Sequence, residues 1–281
     1  MRKAGFMNSL ILLAASAVGV MAFLYPFFSL SVEEQSSGLA ASAHSQDAPF
    51  VLLMLVALCL GAILANMQGG QMNSKMVAVL GVLTAMNAVL CAVPGPAGFS
   101  LIFILPILCG YAFGGTFGFL LGALSLLVSA FIGGGVGPWL PYQMFTTGWV
   151  GLLSAWLPDM RRLGRAEALL LAVWGFVLGL IFGAIMNIWF WPFVMAPTGS
   201  DMYWSAGIGL LESLKRYAVF YGVTSLWWDL ARAAGNFLLI LLFGGPILKV
   251  LRRFQARFNF LTLPAAFSGP SPRNPSADPL P

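Results

Sequence analysis

Long runs of apolar residues, separated by short polar breaks, dominate the chain. Within the runs, apolar positions are continuous and do not alternate with polar ones, which favours membrane-spanning helices over the strands of a β-barrel. A span needs about 20 mostly apolar residues. We predict eight spans, at about residues 9–30, 49–65, 76–93, two within 99–132, 143–157, 166–194 and 221–250.

The apolar stretch 99–132 is too long for one span. As a single helix it would measure about 50 Å, because a helix rises about 1.5 Å per residue. The segment GYAFGGTFG interrupts it near Gly114 and Gly115. We therefore predict two short spans that meet in a tight hairpin there, and another tight turn at PGPAG, residues 94–98.

The first apolar run is either a membrane span or a signal peptide. Residues 41–43, Ala-Ser-Ala, resemble a cleavage site, but the run is longer than the roughly 7–15 apolar residues of a signal peptide. We predict a retained span. Residues 31–48 contain acids and no Lys or Arg, so they are predicted as an external loop, and this loop contains His44, the only histidine.

Composition makes the chain an integral membrane protein. It is 59% hydrophobic and 8% charged, with a mean hydropathy of +0.89, whereas a soluble domain carries about 25% charged residues. With the N-terminus inside, only Lys215 and Arg216 among the loop cations lie outside, which predicts that both ends are cytoplasmic. The basic residues predicted on the cytoplasmic side are Arg2, Lys3, Lys75, Arg161, Arg162, Arg165, Lys249, Arg252, Arg253 and Arg257.

The residue inventory argues against catalysis. The chain has no GxxxxGK[ST] motif and therefore no ATP-binding P-loop. With His44 in a polar loop, we expect no intramembrane Ser–His pair and no histidine-based metal site. Cys59, Cys91 and Cys109 lie in apolar runs without paired spacing and are interpreted as small core residues. We predict no catalytic residue, no metal and no cofactor.

The segment GGGVGPWLPYQM, residues 133–144, cannot be ordinary membrane helix. Glycine allows the backbone to approach a ligand closely, and proline holds the shape of a loop. One interpretation is a lid over an outer site, with Trp139, Pro141, Tyr142 and Gln143 supplying an aromatic face and an amide. The alternative is a plain re-entrant turn with an interfacial tryptophan.

Polar residues within the last two predicted spans form a second candidate site. Asp229, Arg232 and Asn236 have the spacing i, i+3, i+7, which places them on one helix face. Charges within spans usually face the protein interior or a wet cavity, so this face is either the polar end of a ligand pocket or an ion pair that orders the bundle. Asn187 needs a partner or ligand, and Trp191 is either a pocket residue or part of an interfacial belt.

The third predicted span has small residues at helical spacing. Gly81 and Ala85, and Ala88 and Ala92, form small-xxx-small pairs, which allow another helix to approach closely in lipid. Packing within the bundle is the alternative. Asn87 in the same span is a weaker candidate for a ligand contact.

Three stretches resemble the substrate-binding S components of energy-coupling factor (ECF) vitamin transporters. They are GVLTAMNAVLCA, FILPILCGYAFGGTFGFLLGALSLLVSAFIGGGVGPWLPYQM and SLWWDLARAAGNFLLILLFGGPIL. The resemblance implies a six-span core that binds a vitamin near the outer face and hydrolyses nothing. A membrane T component and two cytoplasmic ATPases would drive uptake while the S component topples in the membrane. The implied T-component docking face is Gly81, Ala85, Ala88 and Ala92.

We thus expect an all-α integral membrane protein in three parts. Residues 1–75 form an N-terminal two-span hairpin with an external loop, residues 76–257 form the six-span substrate-binding core, and residues 258–281 form a disordered Pro/Ser-rich cytoplasmic tail. The residues expected to bind substrate are Trp139, Pro141, Gln143, Asn187, Trp191, Asp229, Arg232 and Asn236.

The nature of the ligand is left open by the sequence. Many aromatic residues and few charges favour a planar or bulky organic ligand; among vitamins, cobalamin is favoured and thiamin-type precursors stay open. Two other functions also stay open. In a stand-alone secondary transporter or channel, Asp229 would carry the coupling. In a membrane scaffold without a ligand, residues 133–142 would tolerate replacement by a polar linker.

Overall fold

A computed structural model describes residues 2–29, 44–92, 95, 99–194 and 201–258, and within them all regular structure is helical. The α-helices of these ranges, numbered in chain order, are α1 (Arg2–Leu24), α2 (Pro26–Ser29), α3 (Ala48–Gln68), α4 (Ser74–Ala92), α5 (Ile104–Phe113), α6 (Gly115–Ser129), α7 (Leu140–Ser154), α8 (Arg165–Phe190), α9 (Leu210–Thr224) and α10 (Leu226–Phe258).

Six helical segments of the described chain are long and apolar enough to cross a membrane, rather than the eight predicted. The predicted fourth and sixth spans correspond to α5 and α7, which have only 10 and 15 residues. At about 1.5 Å per residue both are shorter than the roughly 30 Å hydrocarbon layer. The six segments are Met7–Leu24, Ala48–Gln68, Ser74–Ala92, Gly115–Gly134, Arg165–Phe193 and Leu226–Arg257.

The hairpin predicted near Gly114 is confirmed. Helix α5 ends at Phe113 and α6 begins at Gly115, and Gly114 between them has a φ of 100°, which favours glycine. Close packing continues from this turn, because a Cβ added to Gly110 or Gly118 would overlap the backbone of Gly151 in α7. The short helices α5 and α7 therefore contact α6 backbone to backbone, in the most buried part of the bundle.

Helix α10 packs along the length of α8. Gly175, Gly179 and Gly183 form a strip on α8, and a Cβ at Gly179 would lie 3.0 Å from the Cα atom of Ala233 in α10. Small residues at a spacing of four allow two helices to approach closely. This strip, which the sequence analysis did not single out, positions the polar face of α10 against α8.

The N-terminal hairpin packs against the core on α6 and α7. At one end, Asn66 donates a hydrogen bond to Asn8 (2.7 Å), and Asn8 donates to Thr116 in α6 (2.6 Å). In the middle, the indole of Trp149 donates to Ser16 (3.2 Å). Polar and apolar contacts thus hold the hairpin along its length.

The structure corrects the boundaries of two predicted polar segments. The segment 195–220, predicted to lie outside the membrane before the last span, contains most of helix α9 (residues 210–224), and the last long helix begins at Leu226 rather than Tyr221. Of the predicted external loop, residues 44–47 form a turn with His44 buried, and 30–43 lie outside the described residues. Of the predicted tail 258–281, Phe258 ends helix α10 and residues 259–281 lie outside the described residues, as does the turn 94–98 apart from Gly95.

The two ends of the bundle differ in composition. One end, here called the aromatic end, has Trp139, Trp189, Trp191 and Trp204 near the helix termini. The opposite end, called the basic end, carries the cations of the α7–α8 connection and of the last turns of α10. Those cations are Arg161, Arg162, Arg165, Arg252, Arg253 and Arg257.

Candidate functional site

A buried ion pair lies between α8 and α10 towards the aromatic end. The guanidinium of Arg232 donates to Oδ1 of Asp229 at 2.7 Å, and Asp229 is 3% exposed. Arg232 also lies over the ring of Phe182, 5.3 Å from its centroid. The predicted spacing on one helix face therefore produces a real pair, with the cation held between a carboxylate and an aromatic ring.

Glycine on α8 makes room for this pair. A Cβ on Gly183 would overlap the carboxylate of Asp229, so the acid occupies the space above the glycine backbone. The carbonyl of Gly183 accepts a hydrogen bond from Asn187 (2.8 Å), and Asn187 in turn accepts one from Ser225 (2.7 Å). Asn187 thus lies one helical turn from the glycine on which the Asp229 carboxylate packs.

Asn236 lies one turn further along α10, fully buried. Its amide donates to the carbonyl of Arg232 at 2.9 Å, within its own helix, and its Oδ1 has no hydrogen-bond partner. Asn87 in α4 is similar: its amide donates to the carbonyl of Ile102 (3.2 Å), and its Oδ1 also lacks a partner. Buried polar atoms are nearly always paired, so these two amides have unused capacity for a ligand or water.

Aromatic side chains enclose the polar cluster. The ring of Phe99 packs on Gly235, where a Cβ would overlap it. The ring centroid of Phe103 lies 4.7 Å from that of Phe182. The Phe182 ring in turn contacts the guanidinium of Arg232. The segment before α5 therefore supplies aromatic walls beside the ion pair. A few polar groups among aromatic walls are typical of small-molecule sites.

The glycine-rich segment is placed differently from the predicted lid. Residues 133–136 are exposed, and Trp139 is 39% exposed with its ring packed over Gly137. Pro141 is buried in the first turn of α7. Among the described residues no hydrogen bond, ion pair or ring contact joins Trp139 or Gln143 to the Asp229–Arg232 pair. The structure thus does not bring these parts of the predicted pocket together.

Trp191 is a packing residue at the end of α8 rather than an exposed belt residue. Its indole is 3% exposed and donates to the carbonyl of Met202 at 3.1 Å. Its ring packs near Phe27, Trp204 and Phe220. Trp191 therefore joins the end of α8 to α2 and α9.

His44 is the polar residue whose position the sequence analysis missed. It is 2% exposed, and its Nδ1 lies 2.9 Å from Asp47 and 2.6 Å from the hydroxyl of Tyr142. Burial raises the pKa of the Asp47 carboxyl, but the hydrogen bonds from His44 and Tyr142 outweigh it and lower this pKa below its ordinary value. A histidine among polar residues has no local pattern that predicts burial by a distant helix.

The predicted docking stripe is exposed on three of its four residues. Gly81, Ala85 and Ala92 face outward on α4, whereas Ala88 is fully buried and is not part of the exposed face. Beside the stripe, α4 and α10 form an apolar groove of about 950 Å³, lined among others by Val82 and Phe243. This side of the molecule offers a large apolar surface to lipid or to another helix.

In the described part of the chain, no three His, Cys, Asp or Glu residues come together as a potential metal site. The arrangement at the aromatic end is suited to binding: an ion pair, unused amide oxygens and aromatic walls. It provides hydrogen bonds and stacking surfaces.

Comparison with known proteins agrees with this architecture. No curated protein and no solved structure matches the chain significantly. The family model described as "ECF transporter, substrate-specific component" matches residues 75–245 and therefore leaves the N-terminal hairpin outside. Because the match spans more than half of the 281 residues, the chain belongs to this family and is a substrate-binding membrane subunit of an ECF transporter.

Proposed function

We propose that the protein captures a vitamin or related micronutrient at the extracellular side of the plasma membrane. The observation that carries this proposal is the Asp229–Arg232 pair, buried at the aromatic end beside an amide with an unpaired oxygen. Charges within spans are costly, and in transport proteins they mark substrate pathways. The pair lies within the range matched by the family model.

The aromatic end is the proposed extracellular face, with both termini in the cytoplasm. The support is the charge distribution: Arg161, Arg162, Arg165 and Arg252 cluster at the opposite end, and cationic loops stay on the cytoplasmic side. This orientation opens the polar cluster and its aromatic walls to the outside, where a micronutrient arrives.

The proposed ligand is a planar or bulky organic molecule with at least one hydrogen-bond acceptor. Arg232 has five donor N–H groups and uses part of them on Asp229, and the partly exposed ring of Phe99, which packs on Gly235, offers a face for stacking. Cobalamin is the first candidate, and thiamin-type precursors are the second. Both contain planar ring systems and acceptor groups.

Delivery to the cytoplasm requires partners in this proposal. A membrane T component would dock on the exposed face formed by Gly81, Ala85 and Ala92, and two cytoplasmic ATPases would supply the energy. The support is the exposure of these small residues on α4 and the apolar groove beside them. Small residues allow a partner helix to approach closely in lipid.

A fluorescence titration tests substrate capture directly. The full chain, purified in detergent, is titrated with cobalamin, thiamin, its precursors and other vitamins, using its nine tryptophans as reporters. We expect tight, saturable quenching by one compound, and a loss of at least about tenfold in affinity for Asp229→Asn, since a charged hydrogen bond contributes about 1.5–3 kcal/mol.

The matched control is Asp201→Asn, an exposed acid of the described chain near the same end. It should leave the affinity unchanged. No saturable response to any vitamin would count against the capture function. Uptake that persists in vesicles without the ATPases would favour the secondary transporter instead. Unchanged affinity in both Trp139→Ala and Asn187→Ala would remove these two residues from the site.

Docking is tested by Ala85→Trp. The bulky side chain should abolish co-purification with the T component while vitamin binding stays intact, because Ala85 is exposed on α4. Val173→Trp, on an exposed position of α8, is the matched control and should retain the partner. Retention of the T component by Ala85→Trp would place the docking face elsewhere.

A further inference from the structure

The N-terminal hairpin inserts a histidine among the aromatic residues of the core. His44 lies outside the matched range, yet its ring centroid is 4.4 Å from that of Tyr142, 4.9 Å from Phe193 and 5.7 Å from Trp189. The ring centroid of Tyr25, also in the hairpin, lies 5.7 Å from that of His44. We call these five residues the His44 box. Three of its members belong to the family core and two to the hairpin.

The imidazole of His44 is held in one orientation. Oδ2 of Asp47 lies 2.9 Å from Nδ1 of His44 and accepts a hydrogen bond from the hydroxyl of Tyr142 at 2.5 Å. A carboxylate only accepts, so we assign to the ring the tautomer with its proton on Nδ1. Nε2 is then a hydrogen-bond acceptor with a fixed direction, as in sites where a second group orients a functional histidine.

Two polar atoms of the box are buried without a partner. They are Nε2 of His44 and Nε1 of Trp189, whose rings are stacked nearly parallel at 20°. One is an acceptor and the other a donor. His44 also has a φ of 57°, the left-handed region that non-glycine residues rarely adopt. The position of this ring is therefore associated with an unfavourable backbone conformation and with two buried polar atoms that have no partner.

Attachment of the hairpin does not require these unpaired atoms. At the other end of the hairpin, Asn8, Asn66 and Thr116 form a chain of hydrogen bonds at 2.6 and 2.7 Å, and no buried atom of these side chains lacks a partner. The same hairpin therefore has one polar attachment that is complete and one that is not.

We propose that His44 and Trp189 belong to the substrate site, so that the hairpin contributes directly to recognition. This inference rests on the proposed capture function and adds the chemistry of the ligand. Nε2 of His44 accepts a hydrogen bond from an N–H or O–H of the substrate, and Nε1 of Trp189 donates to an acceptor. The group recognised carries both, as a carboxamide or a ring lactam does.

The His44 box is a second contact region beside the ion pair. On α8, Trp189 lies about 200° around the helix from Asn187, so the box faces α7 whereas Asn187 faces α10 through Ser225. A ligand that touches both extends across the end of α8. This favours a bulky molecule with an amide-type group over a small one.

The single histidine of the chain makes the test direct. Full-length protein labelled with ¹⁵N-histidine gives one imidazole signal pair, recorded with and without the compound that quenches tryptophan fluorescence in the vitamin panel. We expect the Nε2 resonance to change on binding and the Nδ1 resonance to stay near its free value, because Asp47 keeps its hydrogen bond.

Variants separate recognition from packing. His44→Phe keeps a ring in the box and should weaken binding about tenfold, the effect of one hydrogen bond left unpaired on the ligand. It should also abolish the preference for the parent compound over an analogue with a methylated amide nitrogen. Asn8→Ala, which breaks the other hairpin attachment, is the matched control and should retain both affinity and preference.

The outcomes are distinguishable. Quenching without a change at Nε2, or a methyl-analogue preference that His44→Phe retains, would overturn the role of His44 and leave the capture function standing. Tighter binding by His44→Phe would show that the histidine is an internal plug, which also overturns the proposal. If no compound of the panel binds, the capture function fails and this inference fails with it.

Discussion

The two ends of the bundle differ in how completely their buried polar groups are hydrogen-bonded. At the basic end, the Glu167 carboxylate accepts both guanidinium N–H groups of Arg252 and the hydroxyl of Tyr111 (2.8 Å). That hydroxyl in turn accepts the N–H of Met160 at 2.9 Å. These groups join the ends of α5, α8 and α10 and leave no buried side-chain atom of the cluster unpaired.

At the aromatic end and towards the middle of the bundle, the buried polar groups are incompletely paired. Nε2 of His44, Nε1 of Trp189, and Oδ1 of Asn236 and of Asn87 are buried without a hydrogen-bond partner. An unpaired buried polar atom costs about 1–3 kcal/mol, so complete pairing indicates a structural role and incomplete pairing indicates a place for a ligand. In our proposal, the completely paired end serves stability and the incompletely paired end serves binding.

The largest effect is expected from breaking the complete cluster. Arg252→Ala leaves the buried Glu167 carboxylate without its cation, which costs about 3–5 kcal/mol. Thermal or denaturant unfolding of the protein in detergent measures this loss. The vitamin affinity of the fraction that stays folded should not change, since the cluster lies at the end opposite the proposed site.

Arg253→Ala is the matched control for this experiment, because Arg253 is an exposed neighbour. It should leave stability unchanged within about 0.5 kcal/mol. Equal effects of the two substitutions would contradict a structural role of the cluster. A large affinity loss in Arg252→Ala would remove the division between the two ends.

A smaller effect on stability, but a large one on binding, is expected for Gly183→Ala. The added Cβ overlaps the Asp229 carboxylate, so the acid and the adjoining turn of α10 must shift. Overpacking of this kind costs about 1–3 kcal/mol. Vitamin affinity should fall at least about tenfold, because the ion pair moves with the acid.

Gly245→Ala controls for the general effect of replacing a helical glycine. No atom lies within 4 Å of a Cβ at that position of α10, so stability should be equal or slightly higher. Normal affinity in Gly183→Ala would argue that the ion pair does not contact the substrate. The same titration measures both variants.

Replacing a buried amide whose oxygen has no partner should hardly affect stability. Asn236→Leu removes a buried oxygen without a partner and an amide that is bonded only within its own helix, so we expect a stability change below about 1 kcal/mol in either direction. Affinity should fall about tenfold if the amide contacts the ligand. The counterpart is Asn66→Leu at the basic end.

The amide nitrogen of Asn66 donates to Asn8 and to the carbonyl of Ala62, so its replacement leaves Oδ1 of Asn8 without that bond. Asn66→Leu should therefore destabilise by about 1–3 kcal/mol and leave affinity unchanged. Opposite results for the two asparagines, with Asn236→Leu the more destabilising, would contradict the comparison between the ends. Unfolding and titration measurements on the same samples of both variants give the two quantities to compare.

The smallest effect is a pH dependence at Asp47. Its pKa lies below the ordinary value, so the stabilisation it provides is present above the unfolded pKa of about 3.9 and is lost as pH falls through the folded pKa. The difference in melting temperature between the protein and Asp47→Asn should shrink below about pH 4. A difference that stays constant to lower pH would contradict the bonds from His44 and Tyr142.

Local sequence patterns predicted part of the candidate site. The spacing of Asp229, Arg232 and Asn236 is a property of one helix, and the structure has these residues on one face of α10 as expected. The grouping of Trp139 and Gln143 with them depended on how three helices pack. Helix packing is decided by contacts such as the glycine strip on α8, whose partner residues are distant in sequence.

His44 shows why a composition-based prediction fails for single residues. Its neighbours in sequence are small and polar, which is typical of a surface loop. The imidazole is buried because it packs against Tyr142, almost a hundred residues later, in the first turn of α7. The sequence of the loop contains no sign of that partner.

By itself, the sequence determined that the chain is a helical membrane protein with a hairpin turn at Gly114 and a polar face on its last long helix. Hydrophobicity and helical periodicity are local, so they can be read without the fold. The tertiary structure alone decided which short helices are shielded by others, which small residue of α4 is buried, and that the N-terminal hairpin reaches the aromatic end. Those outcomes depend on side-chain volumes and hydrogen bonds between segments that meet only in the folded bundle.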